Sequence, residues 1–286
     1  MLTPEMIFRA AKDQTLRIGI GCGENKERVE DSARIASGCG YGMPVLFDNA
    51  ADLVRALKDG SIDAAVRGDL DAKDALAALK QEFGLPKVMR LVLLQMRGSG
   101  IFFMAPVGVD EGWTVAEKLE LALYGARLVA RMGQEPKVGV LSGGRSDDLG
   151  RHEAVDRSIR DGSEVVRLGK QAGLDIEDCQ ILIEEALKTC NILIAPDGIS
   201  GNLIFRTLHL VDGGRSMGAP VINLQKVFID TSRSKASYVD SIALASALAG
   251  GKPIRAGRPG GHQAGHPGSP TEASPGGHPG GHPGKH

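Results

Sequence analysis

The 286 residues include 34 basic and 35 acidic side chains, a formal net charge of -1, with 42% hydrophobic and 24% charged residues. This balance suits a globular core and provides no attraction for nucleic acid or an anionic bilayer. No apolar run reaches the roughly 18 residues that a membrane-spanning helix needs, so no membrane partner is expected.

The opening Met1-Leu2-Thr3-Pro4-Glu5 contains an acid and lacks a basic segment ahead of an apolar core. It does not read as a secretory signal, and a cytoplasmic location is expected. A leading helix is predicted over 4–12, a strand over 16–20 and a polar helix over 24–37 with Val29, Ala33 and Ala36 inward. A strand over 45–47, a helix over 52–58 and a strand over 62–66 complete a β-α-β-α-β alternation, which implies a parallel sheet covered on both faces. Residues 91–96 and 101–105 are apolar runs around Arg97-Gly98-Ser99-Gly100, read as a hairpin, a sheet edge or a crossing between lobes. Thr114 and Glu117 form a capping box for the clearest helix, which Gly133 stops.

The rhythm repeats in the second half: a strand over 137–141, a helix over 153–172, a strand over 191–195, a helix to 210, a strand over 221–224 and a last helix over 237–249. After Gly257 the composition collapses to Gly, Pro, His and Ser, and five of the seven histidines lie there, at His262, His266, His278, His282 and His286. Residues 1–256 are therefore read as the folded α/β domain and 257–286 as a tail that does not fold by itself. The tail imidazoles could bind a metal ion loosely, or the segment could be only solubilising. No firm metal site is expected elsewhere, since Cys22, Cys39, Cys179 and Cys190 show no Cys-x-x-Cys spacing and no nearby histidine. They read as reduced thiols, with Cys22 placed in a loop where a thiolate would be stabilised.

Four loops follow strands and precede helices, where unpaired N–H groups favour an anion. The first, Gly19-Ile20-Gly21-Cys22-Gly23-Glu24, lacks the third glycine of the dinucleotide fingerprint, and there is no P-loop lysine, so a nicotinamide cofactor is disfavoured. The second, with Ser142, Gly143, Gly144 and Arg145, combines backbone donors with a guanidinium, and is equally an ordinary solvated turn. The third places Asp197 at a strand end with Ser200, Gly201 and Asn202 near a helix start, where turn chemistry and capping are the alternative. The fourth, Asp230-Thr231-Ser232-Arg233-Ser234, brings Ser232 and Arg233 ahead of a helix that bears Asp240. Asp240 could accept a proton there, or form a capping box with Ser237.

The order of these loops resembles that of the phosphate acetyl- and butyryltransferases. Lys137-Val138-Gly139-Val140-Leu141-Ser142 is similar to their strand-and-serine motif, and Pro196-Asp197 with Gly201-Asn202 to their "PD…GN" motif. Gly218-Ala219-Pro220-Val221 followed by Ser232-Arg233 resembles the closing motif, with a difference: Ser234-Lys235-Ala236 replaces small residues and adds one position. The chain as a whole most resembles the MtxX family, or methanogenesis marker protein 4, a methanogen group named for a methyltransferase subunit. The resemblance implies a phosphate-acyltransferase-like (isocitrate dehydrogenase-like) α/β fold with parallel sheets, helices on both faces and two lobes around a cleft. It also implies an archaeal source, a homodimer and methyltransferase subunits as partners.

By the same resemblance Ser232 and Arg233 would hold a phosphoryl or acyl oxygen, Asp240 would deprotonate a thiol, and Asn202 and Ser142 would line the cleft. Three functions are consistent with this: a methanogen transferase with an anion-binding cleft, phosphate acyl transfer between a CoA-type thiol and phosphate, and a non-catalytic sensing or assembly subunit. The ligand expected is a small anion, with coenzyme A or another phosphorylated cofactor as candidates.

Overall fold

In the computed structural model, residues 1–12, 14–251 and 254 are described. The compact unit spans Met1–Ala256, and the five tail histidines lie outside the described residues. The first half runs α1 (Pro4–Ala11), β1 (Gln14–Gly21), α2 (Lys26–Gly38), β2 (Tyr41–Phe47), α3 (Ala50–Asp59), β3 (Ala64–Val66) and α4 (Ala72–Phe83). Next come the hairpin β4 (Val92–Gln95) and β5 (Ile101–Ala105), then α5 (Val115–Arg131), β6 (Val138–Leu141), α6 (Glu153–Gln171), β7 (Ile176–Gln180) and α7 (Ile183–Thr189). The chain closes with β8 (Ile192–Ile194), α8 (Gly198–Arg206), β9 (Arg215–Pro220), β10 (Val227–Asp230) and α9 (Val239–Ala249).

The strands form one sheet in the order β2-β1-β3-β10-β9-β4-β5-β8-β6-β7. Strands β2, β1, β3 and β10 are parallel to one another, as are β5, β8, β6 and β7. Between the two halves the pairs β10/β9, β9/β4 and β4/β5 are antiparallel. The predicted hairpin thus exists, but at the centre of the sheet rather than at an edge.

Alternate residues of each strand enter different cores, as the pleat requires. Ala64, Val66, Ile192 and Ile194 pack with α1, α2, α5, α6 and α9 on one face. On the other, Ala65 packs with α3 and α4, and Leu193 with α7 and α8. Helix α9 is buried from Ser241 to Leu248 and is apolar nearly all round, the pattern of a helix with no solvent face. It crosses β9 where Gly218 has φ 114°, and a Cβ there would lie 2.5 Å from Ile229 and 3.2 Å from the Ser241 hydroxyl.

Several elements differ from the sequence expectation. Helices α4 and α7 and strand β7 were not anticipated. The strand expected over 221–224 is instead β9, ending at Pro220, with β10 beginning at Val227. The segment between them turns, and the Asn223 side chain ties it to Met89 and Lys87. The Thr114 cap forms with Glu117 N–H at 3.2 Å, but the Glu117 carboxylate takes the Trp113 N–H rather than completing the box. The box considered as one alternative for Ser237 and Asp240 does not form: α9 starts at Val239, and Asp240 turns to Arg215.

Helix α8 is seated on the loop after β5 by two glycines one turn apart. A Cβ on Gly198 would lie 1.8 Å from Gly108 O, and one on Gly201 1.9 Å from Pro106 O, contacts only a bare backbone allows. Gly201→Ala is therefore expected to destabilise the protein by roughly 2–4 kcal/mol in urea unfolding, since the clash outweighs the helix propensity gained. At Gly38, in α2, nothing lies within 4 Å of a Cβ, so Gly38→Ala should leave stability unchanged or raise it by at most about 1 kcal/mol.

Candidate functional site

Strand β10 ends at Asp230 opposite Ala219, close to where β4 begins, with Leu93 opposite Gly218. This stagger brings the carboxyl ends of β3 and β10 in one half to the same place as those of β5 and β8 in the other. A cavity of about 190 Å³ opens there. Arg67, Arg90 and Asp230 line its floor, Asn202, Arg206 and His209 of α8 and its continuation one wall, and Ser232 and Lys235 the other.

Asp230 is the pivot. One carboxylate oxygen accepts from Arg67 Nε and the other from Arg90 Nη1 at 2.9 Å. Arg90 also donates Nε to Glu111 at 2.6 Å. Burial alone would raise the Asp230 pKa, but Arg67 and Arg90 outweigh it and hold the group below the usual carboxylate range. Burial pushes Glu111 up despite Arg90, and its Oε2 has no hydrogen-bond partner.

Lys235 has a different environment. It is 8% exposed, and no carboxylate lies within ion-pairing distance of it among the described residues. Its ammonium donates to the Ser241 hydroxyl at 3.0 Å, which in turn donates to Met217 O at 2.8 Å. Burial pulls its pKa down to about 8, partly countered by the charge of Asp240. Among these buried groups, Arg67, Arg90 and Lys235 against Asp230 and Glu111 leave one positive charge in excess, and Lys235 is the one without an ion pair.

The turn that carries Lys235 explains where its neighbours point. Lys235 N–H donates to Ser232 O at 3.2 Å and Ser234 N–H to the Ser232 hydroxyl at 3.2 Å. The two ends of the turn, Ser232 and Lys235, face the cavity. Arg233 at its tip is turned to solvent, its side chain 55% exposed and 3.5 Å from Asp71.

Of the residues singled out in the sequence, Asn202 and Ser232 line the cavity, and Asn202 donates to Val107 O at 2.8 Å. The others lie outside its lining. Asp240 is held by both nitrogens of the Arg215 fork at 2.7 and 2.8 Å. Asp197 caps α8 through Ser200 N–H, and Gly201 seats that helix. In the 142–146 loop the Ser142 hydroxyl donates to Gly144 O, the Gly143 N–H goes to Ser158 and the Arg145 N–H to Asp148. In the first loop the N–H groups of Gly23 and Asn25 go to Asp69, whose carboxylate fills the place a phosphate would take. Cys22 there is buried, and burial together with Asp69 and Asp48 raises its pKa, so no thiolate is stabilised.

Arg67, Arg90, Lys235 and Asp230 were not picked out as site residues. Arg67 directly follows a strand, and Lys235 sits where the acyltransferase motif has small residues, signals the sequence does contain.

No family model matches this sequence. The chain is 40% identical over 263 residues to a Methanosarcina acetivorans protein named "Putative methyltransferase mtx subunit X", across 85% of this chain and 94% of that protein. In structure it is similar to the EutD phosphotransacetylase of Staphylococcus aureus, with a TM-score of 0.65, 15% identity and coverage of 86% and 98% of the two chains. A branched-chain phosphotransacylase from Enterococcus faecalis is similar with a TM-score of 0.67, 13% identity and coverage of 82% and 99%. These structures bear on fold alone, which is mixed α/β with helices on both faces of a large sheet. The extent and identity of the sequence match decide the family: the chain belongs to the mtx subunit X proteins.

Proposed function

We propose that the protein is a methyltransferase-associated transferase whose cavity binds the phosphoryl or other anionic group of a small molecule. The observation that carries this reading is Lys235, a buried cation facing the cavity with no carboxylate within ion-pairing distance among the described residues. An isolated buried charge is costly, and an anionic ligand would relieve that cost. The Ser232 hydroxyl and Asn202 lie within the same walls and supply neutral polar contacts. Arg233, at the rim, would attract the anion more than hold it, because its guanidinium is solvated. The ligand class is a phosphate ester or a phosphorylated cofactor such as coenzyme A. The subunit name of the relatives supports partners that carry out methyl transfer.

A second reading, acyl transfer between a CoA-type thiol and phosphate, is favoured by the Ser232-Arg233 pair at the cavity edge. Asp240 would be its base only after release from Arg215, since a carboxylate gripped at 2.7 and 2.8 Å is a weak proton acceptor. Formation of acetyl-CoA from acetyl phosphate and coenzyme A distinguishes the two. Binding with acyl transfer supports the second reading. Binding without it supports the first, with recovery of methyltransferase subunits alongside the protein as its further test. No binding of phosphate, acetyl phosphate or coenzyme A leaves a non-catalytic assembly role.

Lys235→Met should weaken inorganic phosphate binding roughly ten- to a hundredfold in calorimetry, as loss of a hydrogen bond to a charged group of about 1.5–3 kcal/mol implies. Equal affinity in the variant would refute the assignment. Arg233→Ala should lower affinity less, with stability changed by under about 1 kcal/mol, because its ion pair is exposed.

A pH dependence follows from the direction of the Lys235 shift. Its pKa is lowered to about 8, so the cation is present below that pH and lost above it. Sulfate, whose charge is constant in this range, should bind progressively more weakly as pH rises past 8, and the slope should vanish in Lys235→Met. The folding term has the opposite sign: the unfolded lysine holds its proton to a higher pH, so this residue's contribution to stability rises with pH from about 8.

A further inference from the structure

Three side chains at the far edge of the sheet meet without being close in sequence. Cys179 lies on β7, Cys190 just before β8, and β6 runs between those strands. The middle strand contributes Gly139. A Cβ there would lie 2.9 Å from Cys179 Sγ and 3.0 Å from Cys190 Sγ, so the missing side chain is what lets both sulfurs lean over β6. A β-bulge puts Cys179 out of register, between Asp178 opposite Val140 and Gln180 opposite Leu141, and Gln180 has φ 54°. Bulges of this kind re-aim a side chain, and they gather at functional places.

Glu177 completes the group. Cys190 Sγ donates to Glu177 Oε1 at 3.0 Å, and Thr189 Oγ1 donates to the same oxygen at 2.6 Å. The two sulfurs and a carboxylate oxygen all lie within 4.8 Å of one another. Cys190 is buried, Cys179 half-buried and Glu177 exposed, so the group opens to solvent on the carboxylate side.

We propose that Glu177, Cys179 and Cys190 form a binding site for a thiophilic divalent cation of the zinc class. Zinc–sulfur bonds of about 2.3 Å in tetrahedral geometry place two sulfurs about 3.8 Å apart, which the observed spread accommodates. Two thiolates with one carboxylate select a soft or borderline ion over magnesium or calcium. Each cysteine releases its thiol proton to solvent on binding, and the metal replaces the proton that now links Cys190 to Glu177. Thr189 remains as the outer hydrogen bond that orients the carboxylate. Three protein ligands leave a fourth position for water or another donor. The site lies at the β7 edge, on strands that contribute nothing to the cavity lining.

The test uses the full chain, reduced, with cobalt(II) as the probe. One equivalent should give a near-ultraviolet thiolate-to-cobalt charge-transfer band that zinc(II) abolishes. Histidines of the tail ligate through nitrogen and produce no such band. Cys179→Ser and Cys190→Ser should each lose it, and Glu177→Gln should weaken cobalt binding at least tenfold, with circular dichroism checking that each variant is folded. In the unmodified protein, zinc(II) should protect Cys179 and Cys190 from iodoacetamide, as mapped by mass spectrometry, while exposed Cys39 reacts as before. Absence of a thiolate band, its persistence in both cysteine variants, or alkylation unaffected by zinc overturns the proposal. So does a Cys179–Cys190 disulfide that forms on exposure to air in a protein whose reduced form takes up no cobalt.

Discussion

Asp230 is held between two guanidinium groups, and much of the geometry around the cavity follows from that arrangement. Arg67 comes from the end of β3, Asp230 from the end of β10 and Arg90 from just before β4. One carboxylate thus joins the first parallel half to the central antiparallel strands. Arg90 extends the link through Glu111 to the loop after β5, on which α8 rests. Buried ions of this kind gain little over an apolar packing of the same shape, but removing one partner strands the others at a cost of about 3–5 kcal/mol. The network therefore fixes the end of β3, the end of β10 and the start of β4 relative to one another. Because the Asp230 pKa lies below its unfolded value, that contribution is present at neutral pH and is lost as pH falls through the folded-state pKa.

The small residues of β9 are explained by the same place in the fold. Arg-Ser-Met-Gly-Ala-Pro has little β-propensity, yet it sits in the middle of a ten-stranded sheet. Its neighbour α9 is buried on every side and lies against it, so bulky side chains at Gly218 would drive the helix off the sheet. Close approach of α9 brings Ser241 to Met217 O and, through Ser241, positions Lys235. Packing of a helix on a strand thus sets the position of the charge that faces the cavity.

Much of this architecture was legible in the sequence because it rests on local signals. The alternation of strand and helix in the first half, the hairpin around Arg97-Gly98-Ser99-Gly100, the Thr114 start of α5 and the apolar α9 all follow from periodicity, caps and turns. The elements that were not legible depend on tertiary context. Strand β7, Ile-Glu-Asp-Cys-Gln, is an edge strand with exposed acids, and β9 lacks β-formers. Of the residues lining the candidate cavity, the sequence singled out Ser232 and Asn202, because motifs mark them. Arg67, Arg90 and Lys235 were not singled out, because what distinguishes them is their carboxylate partners, which lie 20 to 163 positions away or, for Lys235, are missing from ion-pairing distance among the described residues. Cys179 and Cys190 were read only as separate reduced thiols for a similar reason, since a parallel strand passes between the two and no sequence spacing records that.

The four helix-entry loops, alike as sequences, diverge once their donors are followed. Asp69 occupies the N–H groups of the first, Ser158 and Asp148 those of the second, and Asp197 caps the third. In each, the protein's own oxygens take the place that an external anion would need. In the fourth loop Asp230 accepts from Thr231 N–H, and the turn over 232–235 closes on itself through Ser232 O and the Ser232 hydroxyl and presents Lys235 inward. Electrostatic demand for an anion therefore concentrates at the fourth loop, whose one acid, Asp230, is already held by Arg67 and Arg90 and leaves Lys235 without an ion pair among the described residues. The position is also the one at which the two parallel halves present their carboxyl ends, so shape and charge single out the same cavity.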